Sequence, residues 1–302
     1  MTFPNLLSWS LALLLTGGTL AANPAAESET AFCHQDGERL KPGNAPLKLV
    51  VGVNDIYCKD SSCKCIEHIA TRQYGEFCRK LKEAYNIDLQ FIYFLEPYDL
   101  DRAFRAEQFD AVLSKPWLVF RHPEACQRMV RVADLQDLHR NTGLWGIVIV
   151  PKDSPLKNLG EIAGHRIAYG QSDAYEKHQG ALALFKREGI TIPADKLVEK
   201  ASCLECIDLL MKGSVDAAVI SNYALTADCA VDITTPDAFR VLGKTEEMPL
   251  TSFMIDLRRV SRADACRVQQ ALCELSKTEL PPSMSGGGFV KPASWKVPGI
   301  ER

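Results

Sequence analysis

The 302-residue sequence contains little of what most enzymes and nucleic-acid-binding proteins require. Its six histidines are scattered, and it has no Ser-His-Asp order, nucleophile elbow, P-loop or catalytic glutamate pair. Its 35 basic and 38 acidic residues are interspersed without a run of one sign, giving a net charge of −3. This balance argues against nucleic acid or an anionic membrane surface as a partner. We therefore expect a globular protein that is not an enzyme and needs no cofactor.

Long apolar runs are also missing, apart from one at the N-terminus. Residues 11–22 (LALLLTGGTLAA) are apolar and end in small residues, which is typical of a secretory signal and too short to span a membrane. The pattern predicts a signal peptide over residues 1–22, with cleavage after Ala21 or Ala22, and a mature chain that is soluble in the periplasm. The residues before this run lack Lys and Arg, so an ordinary N-terminal helix is the alternative. Residues 23–45 are predicted to form a loosely packed arm.

Eleven cysteines are many for a chain of this length. Disulfides are the default in an exported protein, and the odd number requires that at least one cysteine is free or pairs outside the chain. Cys266 and Cys273 are seven residues apart on a predicted helix and share a face. They cannot bond to each other in a straight helix, so each pairs elsewhere or stays reduced.

The segment YCKDSSCKC at 57–65 follows a predicted strand and concentrates three of the cysteines. Cys58, Cys63 and Cys65, with His68, are residue types that bind Zn or Cu(I), but they lack the paired spacing of a zinc finger. Disulfides are the favoured interpretation, and Cys58 and Cys63 can close a short loop. A metal site remains the alternative, and we predict none.

Cys203 and Cys206 open a predicted helix after a strand. In that geometry a C-x-x-C pair becomes redox-active because the thiolate is stabilised. The aromatic and Gly-Pro context of thioredoxin is missing, so a disulfide is the favoured interpretation. A periplasmic metal- or redox-related accessory protein that uses its cysteines is therefore the alternative function.

The spacing of apolar residues predicts two successive βαβ sets. In the first set, strands and helices alternate over residues 47–53, 65–85, 88–94, 100–108 and 110–114. In the second, the predicted elements are 144–151, 159–164, 165–170, a helix ending at Gly189, 196–201, 203–212 and 215–221. Strands at 239–244 and 250–257 and a helix from Ser261 to Lys277 follow.

These sets predict an α/β fold with two lobes, each a mostly parallel sheet flanked by helices, and a cleft between the lobes. We assign residues 46–138 and 242–302 to lobe 1 and residues 139–241 to lobe 2. The crossovers near 137–143 and 236–246 are expected to act as the hinge.

Three motifs carry a resemblance to a known family. The first, at residues 143–191, combines the strand GLWGIVIV, the turn KDSPLKNL and a strand ending in Gly-x-Ser before a helix. The other two are GSVDAAVISNYAL (213–225) and YDLDRAFRAEQFDAVLSKPWLVF (98–120). Together the match covers roughly residues 47–257. The set resembles type 2 periplasmic binding proteins of the phosphonate/phosphite/phosphate-binding group. The resemblance implies a monomeric receptor that closes on a small anionic solute and then meets an ABC permease or a sensor protein.

The candidate binding residues lie where predicted strands lead into helices, since ligands of open α/β sheets bind there and helix N-termini favour oxyanions. The expected ligand-binding residues are Tyr57, Ser114, Lys115, Trp117, Ser172, Asp173, Tyr175, Cys203, Ser221 and Tyr223. Ser172 and Asp173 have an alternative role as helix N-caps. Asp173 stands where the family carries a Ser/Thr-rich loop, and its carboxylate would repel a doubly charged oxyanion.

Overall fold

The computed structural model describes residue 33 and residues 45–62, 70–225 and 235–299. The predicted signal peptide and most of the predicted arm lie outside these residues. The α-helices and strands are β1 (Leu47–Val53), α1 (Gly75–Tyr85), β2 (Ile87–Tyr93), α2 (Pro97–Arg105), β3 (Ala111–Ser114), α3 (Pro116–Phe120), α4 (Ala125–Arg128), β4 (Met129–Leu135), β5 (Gly143–Leu144), β6 (Gly146–Pro151), β7 (Ile167–Gly170), α5 (Gln179–Arg187), β8 (Leu197–Lys200), α6 (Cys203–Met211), β9 (Ala217–Ser221), β10 (Phe239–Lys244), β11 (Met248–Pro249), β12 (Thr251–Asp256), α7 (Arg262–Thr278) and β13 (Phe289–Val290).

Two mixed sheets form the two lobes. The first has the strand order β13-β4-β12-β3-β1-β2, in which β1 is parallel to β2 and β3 while β12 is antiparallel to β3 and β4. The second has the order β10-β6-β9-β7-β8, in which β7 is parallel to β8 and β9 while β6 is antiparallel to β9 and β10. The two-lobed α/β prediction is confirmed. Its parallel part is the three-stranded unit of each sheet, and every strand beyond that unit pairs antiparallel with its neighbour.

A short ribbon connects the lobes. β5 pairs with β11, Leu144 opposite Met248 and Gly143 opposite Pro249, so the two chain crossings run side by side. β10 extends to Lys244 in the second sheet, and the boundary drawn at 241/242 therefore falls inside a strand. The division into lobe 1 and lobe 2 by residue number otherwise stays a prediction.

The helix predicted over 65–85 is present over Gly75–Tyr85, and residues 70–74, which the prediction included, are not helical. Residues just before it are held by buried polar contacts: the Arg72 N–H donates to the Tyr57 carbonyl (3.0 Å), and the Lys59 N–H donates to the Arg72 carbonyl (3.1 Å). The side chains of Arg72 and Tyr74 both donate to Asp55. These contacts fix a non-helical backbone at residues 70–73 that apolar periodicity does not indicate.

The cysteine predictions have mixed outcomes. Cys33 and Cys266 form a disulfide across 233 residues, which confirms that Cys266 pairs with a partner other than Cys273, and Cys273 is a buried thiol. Cys58, Cys203 and Cys206 are free thiols, so the disulfides expected for them are wrong.

The remaining cysteine and metal predictions can be compared only in part with the described residues. Cys63, Cys65 and His68 lie outside the described residues. Within 45–62, 70–225 and 235–299, no group of three or more His, Cys, Asp or Glu side chains could hold a metal ion. Among those same residues, no helix is both long and apolar enough to cross a membrane.

Candidate ligand cleft between the two lobes

The two lobes touch through side chains at the carboxyl ends of β3 and β7. Lys115, directly after β3, places Nζ 3.2 Å from Oε1 of Glu176 in the other lobe. Trp117 packs its ring on Tyr175 with 4.6 Å between centroids, and its Nε1 donates to the Ser172 carbonyl (3.4 Å). An ion pair and an aromatic contact therefore join the lobes at the place where family ligands were expected.

A single 3-10 turn, Tyr175–Lys177, carries the charged groups of the second lobe. It fits against the sheet because two glycines leave room for it. A Cβ at Gly170 would lie 2.3 Å from Cγ of Lys177, and one at Gly146 would lie 2.1 Å from the Glu176 carbonyl oxygen. The same carbonyl accepts a hydrogen bond from Oγ1 of Thr245 (3.2 Å). The turn is thus fixed by backbone and side-chain contacts alike.

Glu176 is fully buried at the centre of the cleft. Its Oε1 accepts hydrogen bonds from Oγ of Ser221 (2.7 Å) and Nζ of Lys115, whereas Oε2 has no hydrogen-bond partner within the described chain. Burial raises the pKa of Glu176, but the positive charges of Lys115 and Lys177, with the hydrogen bond from Ser221, together outweigh burial. The pKa of Glu176 is therefore below its ordinary value. Glu176 is therefore an ionised carboxylate with one oxygen still able to accept a hydrogen bond.

Lys177 is 7% exposed and lies beside a thiol. Its Nζ is 3.7 Å from Sγ of Cys203, and the same sulfur accepts the N–H of Ser221 (3.4 Å). Burial lowers the pKa of Lys177, yet Cys203, Tyr223 and Glu176 together raise it above its ordinary value. Unlike Lys115, Lys177 forms no salt bridge with a carboxylate of the described residues.

Most of the residues predicted from the sequence meet in this cluster. Lys115, Trp117, Tyr175, Cys203, Ser221 and Tyr223 all contact it or influence its charges. Ser114 is buried one residue earlier, and its Oγ donates to the Lys115 carbonyl (3.2 Å).

The other predicted residues lie at the margin. Ser172 is exposed and contributes its carbonyl, and Asp173 acts on the cluster through its charge, which raises the pKa of Lys115. Neither caps α5, which begins only at Gln179. Tyr57 is buried in the same apolar cluster as Trp117, with the Arg72 guanidinium 5.8 Å from its ring centroid.

Sequence reasoning missed Glu176 and Lys177. The segment Asp173-Ala174-Tyr175-Glu176-Lys177 reads as the first turn of a helix, where charged side chains face solvent. The available signal was the pair of glycines, Gly170 and Gly180, that flank the segment: each would place a Cβ within 3 Å of the turn.

Comparisons with known proteins identify a family and proteins of similar fold. A family model described as "ABC transporter, phosphonate, periplasmic substrate-binding protein" matches residues 67–292. A Xanthomonas citri protein bound to ATP is similar in structure, with a TM-score of 0.62, 15% identity, and coverage of 82% of this chain and 91% of that chain. PhnD1 of Prochlorococcus marinus in complex with methylphosphonate has a TM-score of 0.58 and 12% identity, over 82% and 93% of the two chains. The binding protein component of a Pseudomonas aeruginosa ABC phosphonate transporter has a TM-score of 0.54 and 9% identity, over 81% and 82%. No curated protein sequence matches this chain.

Proposed function

Because this chain belongs to the family of periplasmic substrate-binding proteins of phosphonate ABC transporters, we propose that it captures a small phosphonate-like anion between its lobes. The family is a substrate-binding component of transport and not an enzyme, as the sequence predicted. One observation carries the ligand proposal: Lys177 is buried beside the interlobe contact and has no carboxylate partner among the described residues. A buried ammonium ion needs a counter-charge, and an anionic ligand supplies it.

The charges of the cleft favour a monoanion. Lys115 and Lys177 bring two positive charges and Glu176 one negative charge, which leaves one positive charge to neutralise. A dianion would leave a net negative charge in a buried site, and Asp173 would add to the repulsion. A monoanionic phosphonate also keeps one P–OH group, which can donate to the unpartnered Oε2 of Glu176.

The proposed ligand contacts are the ten residues predicted from the sequence together with Glu176 and Lys177. Trp117 and Tyr175 would cover the organic substituent, and the hydroxyls of Ser221 and Tyr223 would bind oxyanion oxygens. Lys115 and Ser221, which both contact Oε1 of Glu176, would each exchange that contact for one with a ligand oxygen.

A thermal-shift series with calorimetry tests this proposal. Methylphosphonate is expected to raise the melting temperature because a ligand that binds only the folded state stabilises it by mass action. Its affinity should be higher at about pH 6 than at about pH 8, since the second phosphonate proton dissociates between these values. Sulfate, a dianion without that proton, is the control and is expected to leave the melting temperature unchanged. A shift by sulfate and none by methylphosphonate would contradict the proposal.

Replacing Glu176 with glutamine is expected to reverse the charge preference. The amide removes the negative charge and presents a donor, so the cleft would hold two uncompensated cations and favour a dianion. We expect the E176Q protein to bind methylphosphonate more tightly at about pH 8 than at about pH 6, by about tenfold, and to gain sulfate binding. Glu199→Gln removes a half-exposed carboxylate of the same lobe and should leave both properties as in the unmodified protein. An E176Q protein with unchanged pH dependence would count against the role of Oε2.

The proposed function also includes export and a membrane partner. We propose that residues 1–22 are removed on export, that the mature protein is a monomer, and that its closed form docks on an ABC permease rather than on a sensor. The apolar run at 11–22 supports removal on export, and the transporter family supports the permease as partner. Mass spectrometry of the exported protein should show a chain that starts at Ala22 or Asn23, and a chain that retains Met1 would exclude cleavage.

A further inference from the structure

Cys203 has surroundings unlike those of the other described thiols. It is the first residue of α6, it is only partly buried, and its Sγ accepts the N–H of Ser221 (3.4 Å) and lies 3.7 Å from Nζ of Lys177. Hydrogen-bond donors and a cation at a helix N-terminus stabilise negative charge on sulfur. These contacts would stabilise an oxidised sulfur that carries negative charge, such as a sulfenate.

Four other free thiols have the opposite setting. Burial raises the pKa of Cys58 and Cys273 to about 11 and that of Cys78 and Cys206 to about 12. Thiols of this kind stay protonated near neutral pH and are inert. The protein thus contains one cleft thiol that contacts a lysine and several buried thiols that do not, so the two kinds can be compared within one molecule.

We propose that Cys203 is an oxidation site within the ligand cleft, where a hydroperoxide converts the thiol to a sulfenate that pairs with Lys177 and excludes an anionic ligand. The sulfur attacks the peroxide, the O–O bond breaks and an S–O bond forms. Sulfur loses two electrons, the second peroxide oxygen gains them and takes the thiol proton, and it leaves as water or an alcohol. The sulfenic acid then gives its proton to solvent.

The effect on binding follows from charge and position and rests on the proposed function. The added oxygen enters the space between Sγ and the Lys177 ammonium, and its negative charge supplies the counter-ion that the ligand would otherwise provide. The cleft then has no surplus positive charge, and an incoming anion meets like charge. Two thiol equivalents reverse the change by reducing the sulfenic acid to the thiol, with a disulfide and water as products.

The test treats the full exported chain with hydrogen peroxide and maps oxygen uptake by peptide mass spectrometry with dimedone trapping. Cys203 is expected to gain one oxygen at least about tenfold faster than Cys78. Methylphosphonate should slow this uptake by occupying the cleft. Lys177→Met, which keeps the alkyl stem over Gly170 and removes the charge, should also slow it by about tenfold. Uptake at Cys203 no faster than at Cys78, or unaffected by Lys177→Met, would overturn the proposal.

Calorimetry with methylphosphonate before and after oxidation supplies the second readout. The affinity should fall at least about tenfold on oxidation and return after treatment with a thiol reductant. The ratio of the two affinities should be close to one in Cys203→Ser, and should match the unmodified protein in Cys78→Ser. An oxidised protein with unaltered affinity would overturn the switch. If the reduced protein fails to bind methylphosphonate, the proposed function fails, and oxygen uptake and its dependence on Lys177 alone decide whether Cys203 is an oxidation site.

Discussion

Replacing Arg72 with alanine is expected to lower the free energy of unfolding by about 3–5 kcal/mol, because it leaves a buried carboxylate without its counter-ion. Arg72 is 1% exposed, and its Nη1 donates to Oδ2 of Asp55 at 2.8 Å. Its Nη2 donates to the Gln136 carbonyl (2.6 Å) and its Nε to the Met284 carbonyl (3.3 Å). One side chain therefore joins the loop after β1 to the end of β4 and to the C-terminal region.

The urea midpoint of unfolding measures this effect, and Arg79→Ala is the matched control. Arg79 pairs with Glu83 four residues later on α1, where both side chains are more than half exposed. Surface pairs of this kind contribute little to stability because water and salt screen them, so the control should change the midpoint little. Equal shifts for the two variants would show that the buried network contributes no more than a surface pair.

Replacing Lys177 with methionine is expected to weaken methylphosphonate binding by about 30-fold to several thousand-fold. Truncating one partner of a buried hydrogen-bonded charge pair costs about 2–5 kcal/mol, and each 1.4 kcal/mol corresponds to about tenfold in affinity. Methionine keeps the aliphatic chain that lies over Gly170, so packing is preserved while the charge is lost. Calorimetry at about pH 6, where the ligand is the monoanion, gives the affinity directly.

Lys212→Met provides the control for net charge. Lys212 lies at the end of α6 in the same lobe, and its side chain is 66% exposed and pairs with Asp208. The substitution removes the same charge from the protein without touching the cleft, so it should leave the affinity unchanged. If both variants bound methylphosphonate as tightly as the unmodified protein, Lys177 would not be the counter-ion of the ligand.

The strands of this protein were largely predictable because their apolar runs are local. The segment LKLVVGV is predicted as a buried strand and forms β1, an interior strand with β2 and β3 on its two sides. The helix predicted from Ser261 forms α7, and Ser261 caps it, with its Oγ accepting the Asp264 N–H. In each case neighbours in the sequence supply the decisive interactions.

The errors arise where distant residues decide the local structure. The non-helical backbone before α1 depends on Asp55 and on the carbonyls of Gln136 and Met284, which are far from Arg72 in the sequence. β4 was not predicted because two charged residues, Arg131 and Asp134, interrupt its apolar pattern. Both are buried, and each has a distant partner: Arg131 donates to the Ala293 carbonyl, and Asp134 accepts from Ser252.

The residues of the candidate site also divide into those that local sequence predicts and those that distant contacts determine. Lys115, Trp117 and Ser221 were predictable because strand ends meet at one edge of a sheet. Glu176 and Lys177 were not, since their burial depends on contacts with Lys115 in the other lobe and with Cys203 in a later helix. Periodicity cannot distinguish a charged residue of a solvated helix from one enclosed between lobes.

The bond between Cys33 and Cys266 has a consequence for biogenesis. Eight other cysteines lie between the two partners in the sequence, and a chain that crosses the membrane from its N-terminus presents Cys33 to oxidants long before Cys266 emerges. An oxidase that joins cysteines in the order of their arrival would link Cys33 to Cys58 or another early thiol first. Thiol–disulfide exchange would then transfer Cys33 to its final partner, so for the proposed exported protein we expect production to depend on disulfide isomerisation as well as on oxidation.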